Sequence, residues 1–84
     1  MTVLAVFRSR SQTIDFVSRL TRYGVSVQTV NTPKEAGVGC GLSAKFSFPA
    51  LLHAKKVLQT NRYSSFVGFY KTDYSFGRAT FTPI

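Results

Sequence analysis

The order of short apolar segments is the feature that most constrains the fold of this chain. Segments with the two-residue period of a strand and segments with the 3.6-residue period of a helix follow one another along it. Their order is strand, helix, strand, strand, helix, strand. Because the chain has 84 residues, these segments can surround only one modest core, which excludes a large enzyme.

The first half of the chain contains the first three segments. Residues 3–7 form a continuous apolar run, which predicts a buried strand. Ser9 and Gln12 fit a capping box, in which each side chain bonds the backbone N–H of the other residue at the start of a helix. Apolar residues then recur at helical spacing as far as Gly24, a residue type that favours the left-handed end of a helix. Alternation over residues 25–30 predicts the second strand.

The second half repeats the pattern with a strand at each end. Alternation over residues 42–48 predicts a third strand, and Pro49 fits the first turn of a second amphipathic helix. The aromatic run over residues 66–70 predicts a fourth strand. Residues 72–84 leave two alternatives open, an extra edge strand or a loose tail.

This order predicts an α+β fold of the ferredoxin-like βαββαβ type, with a four-stranded antiparallel sheet and two helices on one face. Residues 1–71 would form this single domain, and residues 72–84 would be a C-terminal extension. In that topology the third strand lies between the first and the second. The segment before the third strand would therefore lie near Arg8, Ser9 and Arg10, which follow the first strand.

The balance of charge indicates what the chain attracts. Eleven Lys and Arg residues stand against three acidic residues, which gives a formal net charge of +8. A field of this sign attracts polyanions or acidic protein surfaces. No apolar run approaches the roughly 20 residues that span a bilayer, and no signal-peptide pattern opens the chain. The sequence therefore predicts a cytoplasmic protein without membrane association.

Cys40 is the residue through which chemistry would run. It is the only cysteine, which excludes an internal disulfide and a metal site built from cysteines, and no cofactor is predicted. Gly39 and Gly41 flank the thiol and would leave it accessible. The positive end of the first helix, together with Arg8 and Arg10, would favour the thiolate over the thiol.

Two alternatives need no chemistry at Cys40. The cysteine could fill a tight turn as a small buried side chain, in an interaction domain that pairs through the edge of its sheet. The chain could also be a small basic module that binds RNA or an acidic protein, because exposed aromatic side chains on such a sheet stack single-stranded bases. The aromatic residues that would form this platform, if they face away from the helices, are Phe46, Phe48, Phe66 and Tyr70.

The segment from Thr32 to Phe46 resembles a block in a family of short bacterial proteins described as selenium/sulfur carrier-like. In that family, Pro, a basic residue and Glu precede a few small residues, Cys-Gly-Leu, another small residue and a basic residue before Phe. This chain has Pro33-Lys34-Glu35, then Cys40-Gly41-Leu42, and Lys45 before Phe46. The resemblance covers about residues 2 to 71.

The resemblance implies a role for the thiol. Cys40 would carry sulfur or selenium as a persulfide or perselenide between a donor protein and an acceptor protein, as a carrier more than a multi-turnover enzyme. The sequence departs from the family pattern in its strong basic charge and in the tail beyond residue 71. These departures leave the partner open.

Overall fold

A computed structural model describes residues 1–37 and 41–84. The strands and helices are β1 (Thr2–Phe7), α1 (Arg10–Arg22), β2 (Val27–Asn31), a 3-10 helix (Lys34–Ala36), β3 (Leu42–Ser47), a second 3-10 helix (Phe48–Ala50), α2 (Leu51–Thr60), β4 (Phe66–Ser75) and β5 (Arg78–Pro83). The predicted order of the first four strands and the two α-helices is confirmed. In the described part of the chain, no helix is long and apolar enough to cross a bilayer.

The strands form one antiparallel sheet in the order β2-β3-β1-β4-β5. As predicted, β3 lies between β1 and β2. The prediction of four strands was wrong, because β4 continues as far as Ser75 and β5 pairs with it from Arg78 to Pro83. The chain therefore uses residues 72–84 to cover the edge that β4 would otherwise expose.

One face of the sheet packs against both α-helices. Every second residue of β1 lies on this face, and the ring of Phe7 lies 5.1 Å from the ring of Phe16 in α1. Burial of such aliphatic and aromatic groups is the main favourable contribution to folding. The buried residues of this cluster are Val3, Ala5, Phe7, Phe16, Leu20, Ala44, Phe46, Ala50, Ala54, Val57 and Phe69.

The opposite face of the sheet is covered in part by the connection after β2, and side chains of the other strands pack across it. Leu4 and Val6 of β1 lie on this face, and both are buried. Ala36 of the first 3-10 helix belongs to the same cluster, and the partly buried Phe81 of β5 packs against it. Residues 38–40, which follow this 3-10 helix, lie outside the described part of the chain.

The aromatic platform requires that its residues face away from the helices, and two of the four do not. Phe46 and Phe66 pack into the cluster that faces the helices, so they cannot stack on a ligand at the opposite face. Phe48 lies beyond the end of β3, in the second 3-10 helix. Of the four residues, Tyr70 does face away from the helices, where it packs near Leu4. Alternation along a strand defines two faces, but it does not say which face the helices cover.

The turn between β4 and β5 contains strained backbone. Ser75 pairs with Arg78, so the turn consists of Phe76 and Gly77, with φ angles of 52° and 75°. Two positive φ angles are the mark of a type I′ turn, which suits the twist of a hairpin and prefers Asn-Gly. Glycine adopts this conformation freely, whereas a bulky residue is an outlier there. The side chain of Phe76 is fully exposed, so burial does not offset the strain.

Substituting Asn at position 76 is expected to stabilise the protein. Because Asn tolerates positive φ, Phe76→Asn should raise the free energy of unfolding by about 1 kcal/mol, measured by urea denaturation. Phe76→Ala is the matched control, since it removes the same ring but retains the unfavourable backbone conformation. Equal unfolding midpoints for Phe76→Asn and the parent protein would show that this turn is not strained.

Candidate functional site

The start of β3 lies against the beginning of α1. Val6 near the end of β1 pairs with Ser43. The first residues of β3 therefore lie at the edge of the sheet where β1 ends and α1 begins. Thr13 of α1 is fully buried, and its hydroxyl donates to the carbonyl oxygen of Leu42 at 3.3 Å. The same hydroxyl also donates to the carbonyl oxygen of Ser9 at 3.0 Å, so the two carbonyl oxygens share its one hydrogen. The residue that opens β3 is thus hydrogen-bonded to the first turns of the helix.

Ser9 caps α1, but the predicted capping box is only half formed. The hydroxyl of Ser9 accepts from the backbone N–H of Gln12 at 3.3 Å, as predicted. The side-chain oxygen of Gln12 instead accepts from the N–H and the hydroxyl of Ser65, at 3.0 and 2.6 Å. The N–H of Ser9 donates to the hydroxyl of Ser65 at 3.2 Å. The α2–β4 connection has therefore replaced the reciprocal bond and is fastened to the N-terminus of α1.

Positive charge collects at this end of α1. Arg8 and Arg10 lie on either side of the cap and are exposed, and α1 has no acidic residue in its first turn. Neither guanidinium forms an ion pair with any residue that the structure describes. The unpaired backbone N–H groups at a helix N-terminus add the equivalent of about half a positive charge. This edge of the sheet is therefore suited to an anion.

The connection between β2 and β3 is closed at its base. The N–H of Thr32 donates to the carbonyl oxygen of Gly41 at 3.1 Å, and the hydroxyls of Thr32 and the buried Ser43 lie 2.7 Å apart. Gly37 and Gly41 have φ angles of 69° and 86°, a region that favours glycine. A Cβ atom at Gly41 would meet nothing within 4 Å, so its backbone conformation, not crowding, explains the glycine.

The structure brings four of the predicted site residues to one edge of the sheet. Arg8, Ser9 and Arg10 lie at the start of α1, and Gly41 lies next to the residue that bonds Thr13. The other two, Gly39 and Cys40, lie outside the described residues. The predicted proximity of the thiol itself to these cations therefore stays a prediction.

Several hydroxyl groups of this edge were not predicted from sequence. Thr13 had a usable signal, because it lies at helical spacing from Phe16 and Leu20 and so falls on the buried face of α1. Ser43 and Ser65 had none, since their partners are distant in sequence and no periodicity marks them. Such contacts depend on the tertiary fold.

Asp15 of α1 belongs to a small network on the surface. The hydroxyl of Tyr63 donates to Asp15 Oδ2 at 2.6 Å, and Arg19 Nε donates to the same oxygen at 2.9 Å. The hydrogen bond from Tyr63, followed by that from Arg19, holds the pKa of Asp15 below its usual value. Burial, followed by the bond to Asp15, raises the pKa of Tyr63. The network ties the residues before β4 to the middle of α1.

The fold and the edge just described define a small basic α+β protein, whose one cysteine lies in a connection closed at its base. Residues 2–70 match the model of a protein family described as Putative Se/S carrier protein-like. Because the match covers most of the chain, the protein belongs to this family. The match ends within β4, so β5 lies beyond it. No curated protein and no solved structure matches the chain.

Removing the hydroxyl of Tyr63 should raise the pKa of Asp15. In Tyr63→Phe the carboxylate loses the hydrogen bond that lowers its pKa most, so its midpoint should move toward the ordinary value of 3.8. A lowered pKa stabilises the folded protein above pH 3.8, and this contribution disappears as the pH falls through the folded-state pKa. A carboxyl NMR titration measures the shift, and Tyr70→Phe is the matched control. An unmoved Asp15 midpoint would rule out this role for Tyr63.

Proposed function

We propose that this protein carries sulfur or selenium on Cys40, as a persulfide or perselenide, between a donor protein and an acceptor protein. Membership of the Se/S carrier-like family supports the proposal. The observation that carries it furthest is the hydrogen bond from Thr13 to the carbonyl oxygen of Leu42. This bond ties the residue two positions after Cys40 to the N-terminal end of α1.

The electrostatics of this edge favour the ionised sulfur that transfer requires. The thiolate is the reactive form of cysteine, and its pKa falls from about 8.5 when a helix N-terminus or a cation lies near it. Arg8 and Arg10 supply the cations, and Ser9 caps the helix end. Gly39 and Gly41 place no side chains beside Cys40, which lets a partner's sulfur approach.

The transfer itself needs no added oxidant or reductant. The thiolate of Cys40 attacks the outer sulfur of a persulfide on the donor protein, and a new sulfur–sulfur bond forms on Cys40. The bond between the two donor sulfurs breaks, and the donor cysteine leaves as a thiolate. To load the acceptor, a thiolate of the acceptor attacks the outer sulfur of the Cys40 persulfide, and Cys40 leaves as a thiolate. Selenium follows the same steps.

The proposal extends to fold type and location. Residues 1–71 would be a ferredoxin-like unit, which the order β2-β3-β1-β4 supports, and residues 72–84 would be an extension of it. A reducing cytoplasm would keep the single thiol available for exchange.

Loading with sulfur tests the proposal directly. After incubation with a cysteine desulfurase, its cofactor and cysteine, the intact mass should increase by whole sulfur atoms, and a reductant should reverse the gain. Cys40→Ser is the matched control and should gain nothing, because it lacks the accepting thiol. A parent protein that gains no sulfur, or a Cys40→Ser variant that gains as much, would refute the carrier role.

A further inference from the structure

The sheet face opposite the α-helices contains a small pocket. Its volume is about 160 Å³. This is smaller than the roughly 300–1,000 Å³ of pockets that hold drug-sized molecules, so it suits one flat ring. Its residues come from the central strands, from the end of β2 and from the β4–β5 hairpin: Leu4, Val30, Asn31, Pro33, Lys45, Thr72, Tyr74 and Phe81.

Two polar residues of this pocket, Thr72 and Lys45, have unused bonding capacity among the residues that the structure describes. Thr72 is only 5% exposed, and its buried hydroxyl has no hydrogen-bond partner among the described residues. A buried hydroxyl without a partner is unfavourable, so it favours a ligand that supplies one. Lys45 forms no ion pair within the described residues. The pocket therefore offers an ammonium group among apolar side chains, and the buried hydroxyl of Thr72 lies in its wall.

Exposed aromatic rings continue the pocket toward the tip of the hairpin. Tyr74 is 72% exposed, and Phe76 is fully exposed in its strained turn. Tyr70 lies next to Leu4 on the same face. A large exposed ring held in strained backbone contributes nothing to the packing of this chain, and such features cluster at binding surfaces.

The charge of the chain selects the kind of partner. The formal net charge is +8, and two of the three acidic residues, Asp15 and Asp73, already pair with Arg19 and Lys71. Lys45 lies in the pocket, and Arg78 follows the strained turn. A negatively charged partner complements this distribution.

We propose that this face binds single-stranded nucleic acid, with one base in the pocket and neighbouring bases stacked on Tyr74 and Phe76. Stacking on aromatic side chains and attraction of phosphates by basic ones together account for sequence-tolerant binding of single strands. Each nucleotide joins a flat ring to a negative charge, which matches exposed rings and cations on one face more directly than the separate apolar and acidic side chains of a protein do. A duplex keeps its bases stacked inside. The proposal does not rest on sulfur transfer, since Lys45, Tyr74 and Phe76, the residues that its test changes, lie outside the connection that contains Cys40.

Binding is tested by the fluorescence anisotropy of a labelled single-stranded oligouridine, with an RNA duplex of equal length as competitor. Tyr74→Ser and Phe76→Asn should each weaken binding by about fivefold or more, the lower end of what a lost stacking contact costs. Phe76→Asn suits the turn, so misfolding would not explain its effect. Tyr23→Ser, which removes an exposed ring at the end of α1, is the matched control and should bind as the parent does.

Salt dependence separates a defined surface from diffuse attraction. Lys45→Gln should reduce the slope of log affinity against log salt by about 0.7, the value for one phosphate contact on a single strand. Lys55→Gln, on the exposed side of α2, should leave the slope unchanged. The proposal would be overturned if both lysine variants lost the same amount of salt slope or if both ring variants kept the affinity of the parent. Equal competition by the duplex would also overturn it. Equal ring-dependent binding of polyglutamate would also overturn it, because it would indicate an acidic protein partner.

Discussion

The burial of β1 on both faces is the constraint on which the rest of the structure depends. Residues Val3 to Phe7 are almost completely inaccessible, so apolar groups must cover the central strand from two sides. The two α-helices cover one side. The connection after β2 and side chains of the other strands, among them Tyr70 and Phe81, cover the other. The edge at the start of α1 and the sheet face with the small pocket both follow from this arrangement.

The first consequence concerns the connection that contains Cys40. One end of it is held where Ala36 packs against the second face of β1. The other end is held where the hydroxyl of Thr13 bonds Leu42. Cys40 lies in sequence between these two attachments. At the edge where the second attachment lies, the capped helix and two exposed arginines supply positive charge. Such an edge is a suitable place for an anionic sulfur.

Much of this arrangement could be predicted from sequence, and the limits have physical causes. The continuous apolar run of β1 and the helical spacing around Phe16 were strong enough to predict the central strand and α1. The place of β3 beside β1 followed from the order of elements. The sequence did not settle the edge strand β5, because the alternation of Ala79 and Phe81 with polar residues is short and Phe76 stands where a two-residue hairpin turn usually has Asn or Asp. The contact of Ser65 with Ser9 depends on tertiary structure, which no local pattern reports.

The most direct measurement is the pH dependence of Cys40 alkylation in the parent protein and in Thr13→Val. The account predicts that the midpoint of alkylation in the parent protein lies below about 8.5, the pKa of a free cysteine. It predicts an upward shift in Thr13→Val, which loses the bond to Leu42, and none in Thr21→Val, whose hydroxyl bonds the carbonyl oxygen of Val17 within α1. A parent midpoint at the free-cysteine value, or equal midpoints in both variants, would contradict the proposal that the positive end of α1 lowers the pKa of Cys40 and that the bond to Leu42 contributes to this effect.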